Sequence, residues 1–142
     1  MKEIIAELID KKLPLITNLS NVSAAINMNL DNINWCGFYI MQDDKLYLGP
    51  FQGEVACTII ELGKGVCGTS AKLQKTLIVD DVNTFKGHIA CSAKSKSEIV
   101  VPIIKNNKTV GVIDIDAPIY NRFNQEIASE LEQIADLLKD LF

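Results

Sequence analysis

Four cysteines, a single histidine and a few spaced carboxylates are the residues of this sequence best suited to chemistry. Cys91 lies three positions after His88 in Gly87-His88-Ile89-Ala90-Cys91-Ser92, and Lys94 and Lys96 follow closely. Positive charge beside a thiol lowers its pKa and favours the thiolate, the form that acts as a nucleophile. The plainer reading is a small loop residue that happens to sit near lysines. Cys67, in Gly65-Val66-Cys67-Gly68, falls where the chain reads as a helix N-terminus. Unpaired N–H groups and the helix dipole there stabilise an anion, a thiolate included. Otherwise the glycines pack the helix closely on the sheet and Cys67 merely fills space. Cys57 falls on a predicted strand, where a buried inert thiol is the commoner state. Cys36, between Trp35 and Gly37 on a core strand, is expected to be structural.

Asp114 and Asp116 alternate with Ile113 and Ile115. On a strand both carboxylates therefore point to one face and both isoleucines to the other. Glu98 opens the neighbouring strand of the same predicted hairpin. Carboxylates so placed ordinarily meet water. Gathered in one cleft they would instead hold a ligand ammonium through charge-assisted hydrogen bonds. Mutual repulsion would also raise at least one of their pKa values, supplying a proton donor near neutral pH. Trp35 and Tyr39 are four apart on one strand and share a face. Core packing is the default for such a pair; an aromatic wall for a small ligand with one wet end is the alternative.

The elements that must position these groups follow from periodicity. Residues 1–11 have helical spacing through Ile4, Ile5, Leu8 and Ile9, and a second helix starts at Pro14 with Leu15, Leu19, Val22 and Ile26. The Asn-rich stretch 27–34 reads as a turn. Residues 35–41 and 46–48 are strand-like around a tight connection at Gln42-Asp43-Asp44-Lys45, and a third strand is predicted over 56–60. Residues 63–71 form a glycine-rich entry to a short helix, and 76–79 a further strand. The polar stretch 80–97 lacks apolar periodicity, and a loop that long inside a compact domain is usually functional. Residues 98–104 and 109–116 make a hairpin, and an amphipathic helix over 124–141 closes the chain. The plan is α+β, with a mostly antiparallel central sheet.

Length and composition set the outer bounds. A chain of 142 residues fits one domain, taken as 1–142, and is long enough for a proper hydrophobic core. A net charge of −4 with no dense Lys/Arg run gives no electrostatic footprint for nucleic acid. No apolar run is long enough to span a membrane, and the charged N-terminus is unlike a signal peptide. A cytoplasmic location is the resulting expectation. The absence of any CxxC leaves no thioredoxin-like motif and no paired zinc knuckle.

Six stretches taken in order resemble the free methionine-(R)-sulfoxide reductase family, whose members are GAF domains. They are Asn34-Trp35-Cys36-Gly37-Phe38-Tyr39, Leu48-Gly49-Pro50-Phe51-Gln52-Gly53, Gly65-Val66-Cys67-Gly68-Thr69, Gly87-His88-Ile89-Ala90-Cys91, Ser97-Glu98-Ile99-Val100-Val101-Pro102 and Gly111-Val112-Ile113-Asp114-Ile115-Asp116. The resemblance implies a GAF-type fold, with the N-terminal and C-terminal helices on one sheet face and an active-site loop on the other. It implies that Cys91 is the nucleophile, that Cys57 and Cys67 are both candidates for the resolving thiol, and that Glu98, Asp114 and Asp116 bind substrate beside Trp35 and Tyr39. By the same resemblance thioredoxin is the reductant; the proton donor is one of the carboxyls Glu98, Asp114 and Asp116, with Glu98 the first candidate. No metal, flavin or nicotinamide is required in the protein, and a homodimer paired through the N-terminal helices is expected. At the position of Cys36 many members carry a small residue, and this fourth thiol is given no catalytic role.

Three other readings compete. GAF domains frequently bind small ligands as sensors, and fold does not fix function; three thiols in this arrangement are more than a sensor needs. A zinc site built from Cys57, Cys67, His88 and Cys91 has suitable ligand types but no common zinc-site spacing. A cysteine hydrolase using Cys91 and His88 lacks a recognisable dyad arrangement.

Overall fold

The computed structural model describes residues 1–88 and 93–142. Helices α1 (Lys2–Leu8) and α2 (Leu15–Asn29) come first, then strands β1 (Trp35–Gln42), β2 (Lys45–Gly53) and β3 (Ile59–Glu61). Helix α3 (Gly65–Leu73), β4 (Leu77–Val79), β5 (Ser97–Lys105), β6 (Lys108–Ala117) and α4 (Gln125–Leu138) complete the regular elements. Pro14 sets the start of α2, since its ring fixes φ and it has no N–H to leave unpaired. Asn124 caps α4 by accepting from the Ile127 N–H at 2.9 Å.

Both long hairpins turn through two residues with positive φ, Asp43-Asp44 and Asn106-Asn107. That geometry matches the right-handed twist of the flanking strands, and Asp and Asn tolerate it better than most side chains. The six strands form one sheet in the order β3-β2-β1-β6-β5-β4, with every neighbouring pair antiparallel.

Alternation along the strands splits the buried side chains between two faces. Cys36, Phe38, Ile99, Val101, Ile113 and Ile115 pack under α1, α2 and α4. Trp35, Tyr39, Val100 and Val112 face the other way, where α3 brings Val66, Cys67 and Ala71 against them. This is the α+β arrangement expected, with a mostly antiparallel sheet.

Several boundaries differ. The first helix ends at Leu8, short of residue 11, and α2 runs on through Asn29 into the stretch read as a turn. The strand predicted over 56–60 is the three-residue β3, so Cys57 lies in the loop before it rather than on a strand. A short 3-10 turn, Val82–Thr84, interrupts the long polar loop.

Candidate active site

Three rungs across the centre of the sheet build the site. In the first, Trp35 on β1 pairs with Asp116 on β6, and Asp116 with Glu98 on β5. In the second, Gly37 pairs with Asp114, and Asp114 with Val100; in the third, Tyr39 pairs with Val112. Paired residues point to the same face, so both aspartates, the glutamate and both aromatic rings share one surface.

The β1–β2 pairing carries one extra residue on β2, with Gly37 opposite Phe51 but Tyr39 opposite Leu48. Such a bulge bends the strand and re-aims its side chains. Gly37 is the residue that allows the close approach: a Cβ there would collide with Cβ of Phe51 and sit 2.9 Å from the Pro50 carbonyl oxygen. Phe51 can then stack on Trp35, with centroids 5.2 Å apart and ring planes 16° apart. Tyr39 also stacks on Trp35, with centroids 6.0 Å apart. The Trp35 indole N–H donates to the Glu54 carbonyl at 3.0 Å, and the Tyr39 hydroxyl donates to the Cys57 carbonyl at 2.9 Å. One aromatic wall thus also fastens the loop that carries Cys57.

Helix α3 closes the opposite side. Gly68 lets it descend onto the Glu61 carbonyl, where a Cβ would collide. Its third residue, Cys67, is buried with the thiol hydrogen-bonded to Asp114. The cleft between wall and helix is lined by Trp35, Tyr39, Cys67, His88, Ser95, Glu98, Asp114 and Asp116, among others.

The electrostatics of this cleft follow from burying acids together. Burial pushes the Glu98 carboxyl well above its usual range, and repulsion from Asp114 and Asp116 adds to it. Asp116 is raised by burial and then by Asp114, while hydrogen bonds from Glu98 and Ser95 pull it back. Asp114 is raised by burial and lowered by hydrogen bonds from Glu98 and Cys67, with a net upward shift. These directions fit a protonated Glu98 donating to its two neighbours, which titrate with it as one group. Among the described residues, one Asp114 oxygen, Oδ1, is buried with no hydrogen-bond partner. Buried polar atoms are seldom left so, and an unpaired acceptor beside other acids is suited to a donor arriving with a ligand.

The Cys67 thiol is pushed well above its usual pKa, first by burial and then by Asp114 and Glu98. The thiolate expected from its helix position is therefore not the favoured form. Cys57 is disulfide-bonded, whereas Cys36 and Cys67 are free thiols. Cys36 is buried under α2, where its thiol donates to the Ser23 carbonyl at 3.3 Å, in keeping with a structural residue. Cys91, with Ile89, Ala90 and Ser92, lies outside the described residues. The lysines after it are engaged: Lys94 pairs with Glu54, and Lys96 lies over the Tyr120 ring at 5.2 Å.

Sequence reasoning missed Ser95. It hydrogen-bonds Asp116 and accepts from Asn34 Nδ2 at 3.2 Å, across 61 residues of chain, and local periodicity gives no sign of such a link.

A GAF-domain family model matches residues 19–141. The chain is 45% identical to free methionine-R-sulfoxide reductase of Escherichia coli over 124 residues, 87% of this chain and 75% of that one. It is 50% identical to the enzyme of the same name in Saccharomyces cerevisiae over 138 residues, 91% of this chain and 76% of that one. A structure of fRMsr of Staphylococcus aureus in complex with substrate superposes with a TM-score of 0.92 at 51% identity, covering 99% of this chain and 92% of that one. The chain belongs to the GAF-domain family and, within it, to the free methionine-R-sulfoxide reductases.

Proposed function

We propose that this protein reduces the R-sulfoxide of free methionine, and that the acid cluster beside the Trp35–Tyr39 wall is its substrate site. The observation that carries the reading is the buried, unpaired Asp114 oxygen among three carboxyls, opposite an aromatic wall tied to a disulfide-bonded cysteine. Asp114 and Asp116 hold the substrate ammonium, a group that peptide-bound methionine lacks, which restricts the enzyme to the free amino acid. Trp35 and Tyr39 pack the methyl group. Stereochoice comes from fixing methyl and oxygen in opposite places.

The Cys91 thiolate attacks the sulfoxide sulfur while Glu98, held protonated by burial, donates a proton to the oxygen. The oxygen passes to Cys91, which becomes a sulfenic acid, and the methionine sulfur is reduced by two electrons. Cys57 condenses with the sulfenic acid, water leaves and a disulfide forms. The disulfide state of Cys57, beside the free thiol of Cys67, supports Cys57 as the resolving residue. Thioredoxin then reduces the pair by dithiol exchange, taking the disulfide onto itself. A reducing cytoplasm is the compartment this cycle needs. The chain acts as one folding unit over 1–142, and exposed Ile4, Leu8 and Ile16 on α1 and α2 support pairing of two copies through those helices.

Purified protein is tested with each epimer of free methionine sulfoxide, thioredoxin, thioredoxin reductase and NADPH. NADPH should be consumed with the R epimer alone and not by the Cys91→Ser variant. No consumption with either epimer, from protein whose thiols titrate as reduced, sinks the reading and leaves ligand sensing in its place.

A further inference from the structure

The catalytic cycle proposed above uses Cys91 and Cys57 and leaves Cys67 without a task. Its thiol nevertheless sits in the acid cluster rather than against apolar side chains alone. Ligand atoms of Cys67, Glu98 and Asp114 all lie within 4.8 Å of one another, and all three residues are buried. Asp114 is only 6% exposed, lines the cleft, and has one oxygen with no hydrogen-bond partner among the described residues.

We propose that Cys67, Glu98 and Asp114 form a site for a thiophilic divalent cation of the zinc class, which excludes the sulfoxide substrate while bound. The inference goes beyond the reductase reading and shares only its cleft. A substrate ammonium uses carboxylate oxygens and gains little from a neutral thiol. A zinc-class ion uses all three groups, since it takes sulfur and carboxylate oxygen in a small tetrahedral shell, whereas magnesium and calcium prefer oxygen alone. The fourth position opens to water in the cleft. On binding, the Cys67 thiol and the protonated Glu98 carboxyl each lose a proton to buffer as the sulfur–metal and oxygen–metal bonds form, and no electron moves. Occupation by the cation would hold the enzyme off until a stronger chelator removed it.

Cobalt(II) is the probe, because a thiolate bound to it shows sulfur-to-metal charge-transfer absorption that oxygen ligands do not give. The chain carries Cys57→Ser and Cys91→Ser, leaving Cys67 and Cys36 as its thiols, and Cys36 lies on the other sheet face. Titration should give a saturable charge-transfer band at a single cobalt per chain, lost when Cys67→Ser is added. X-ray absorption of the zinc-loaded double variant should show one sulfur at about 2.3 Å with lighter ligands, a readout that needs no change at Cys67. Absence of the band, its survival in the triple variant, or a shell without sulfur overturns the proposal. Free methionine sulfoxide should bleach the band by competition. A band indifferent to it overturns the exclusion where the parent enzyme turns the sulfoxide over; where the parent shows no turnover, the substrate reading is what has failed.

Discussion

On β1, Cys36 and Phe38 turn under the N- and C-terminal helices, while Trp35 and Tyr39 turn toward α3. The first face is filled by apolar side chains from three helices and four strands, with the Cys36 thiol satisfied by a backbone carbonyl. The second face encloses Glu98 and Asp114, with Asp116 half-buried beside them, at the centre of the same sheet. Burying carboxyls costs several kcal/mol per charge unless protonation or a counterion relieves it. One face therefore stabilises the fold, and the other gives up part of that stability to hold three carboxyls together. The same residue type reads differently on each side. Burial first, and then the Asp114 charge, raise the Cys36 thiol to about 12. Cys67 is raised by burial and then directly by two neighbouring carboxyls.

The contrast breaks most visibly at Glu98. Glu98→Gln keeps the shape of the side chain and removes the acidic proton. The rate of sulfoxide reduction should fall by about 10²–10⁴, the usual contribution of a placed general acid. The melting temperature should hold or rise, because folding no longer has to keep a buried carboxyl protonated. Phe38→Ala on the other face should do the reverse, costing about 3–5 kcal/mol in denaturant unfolding while the folded fraction keeps its turnover. A Glu98 variant that lost stability and kept its rate would erase the distinction between the faces.

A smaller effect sharpens it. Glu98 has its pKa raised well above 4.5 in the folded chain, so between the two values the native state binds more protons than the unfolded one. Stability must then fall as pH rises from about 4.5 through the folded value, and level off beyond it. Below about 4.5 both states are protonated and the penalty vanishes. In urea midpoints measured from acid to mildly basic pH, the advantage of Glu98→Gln over the parent should grow with pH. A gap that stays constant would mean that folding does not raise the Glu98 pKa.

Much of this was legible in the sequence, for local reasons. The alternation of Asp114 and Asp116 with Ile113 and Ile115 fixes which way each points, and β6 lies between β1 and β5 as a hairpin partner must. The two-residue Asp-Asp and Asn-Asn turns identify both hairpins. What escaped is non-local or a contest between effects. Residues 56–60 read as a strand from their apolar character, but the Cys57 carbonyl is taken by the Tyr39 hydroxyl and strand pairing begins only at Ile59. The helix dipole at Cys67 is worth up to about 2 kcal/mol. Burial against two carboxyls outweighs it, and nothing within α3 announces those neighbours. Ser95 lies just before β5 and reaches Asp116 on the neighbouring strand, a contact that no local pattern announces.

The smallest effect belongs to Cys36, and it separates a thiol that fills space from one that belongs to a site. Its side chain is fully buried, its S–H donates to Ser23, and its face of the sheet is remote from the cleft. Cys36→Ala removes one sulfur atom's worth of packing, about 1 kcal/mol on the scale of a buried methylene. The unpaired Ser23 carbonyl adds little, because within α2 it can still be bonded along the helix. Thermal unfolding should shift down by a few degrees at most, with turnover and substrate KM unchanged in the coupled assay. A change in KM would mean that the two faces communicate through β1, where Cys36 and Gly37 are adjacent. The apolar face would then help to aim Trp35, and the division between scaffold and site would have to be redrawn along that strand.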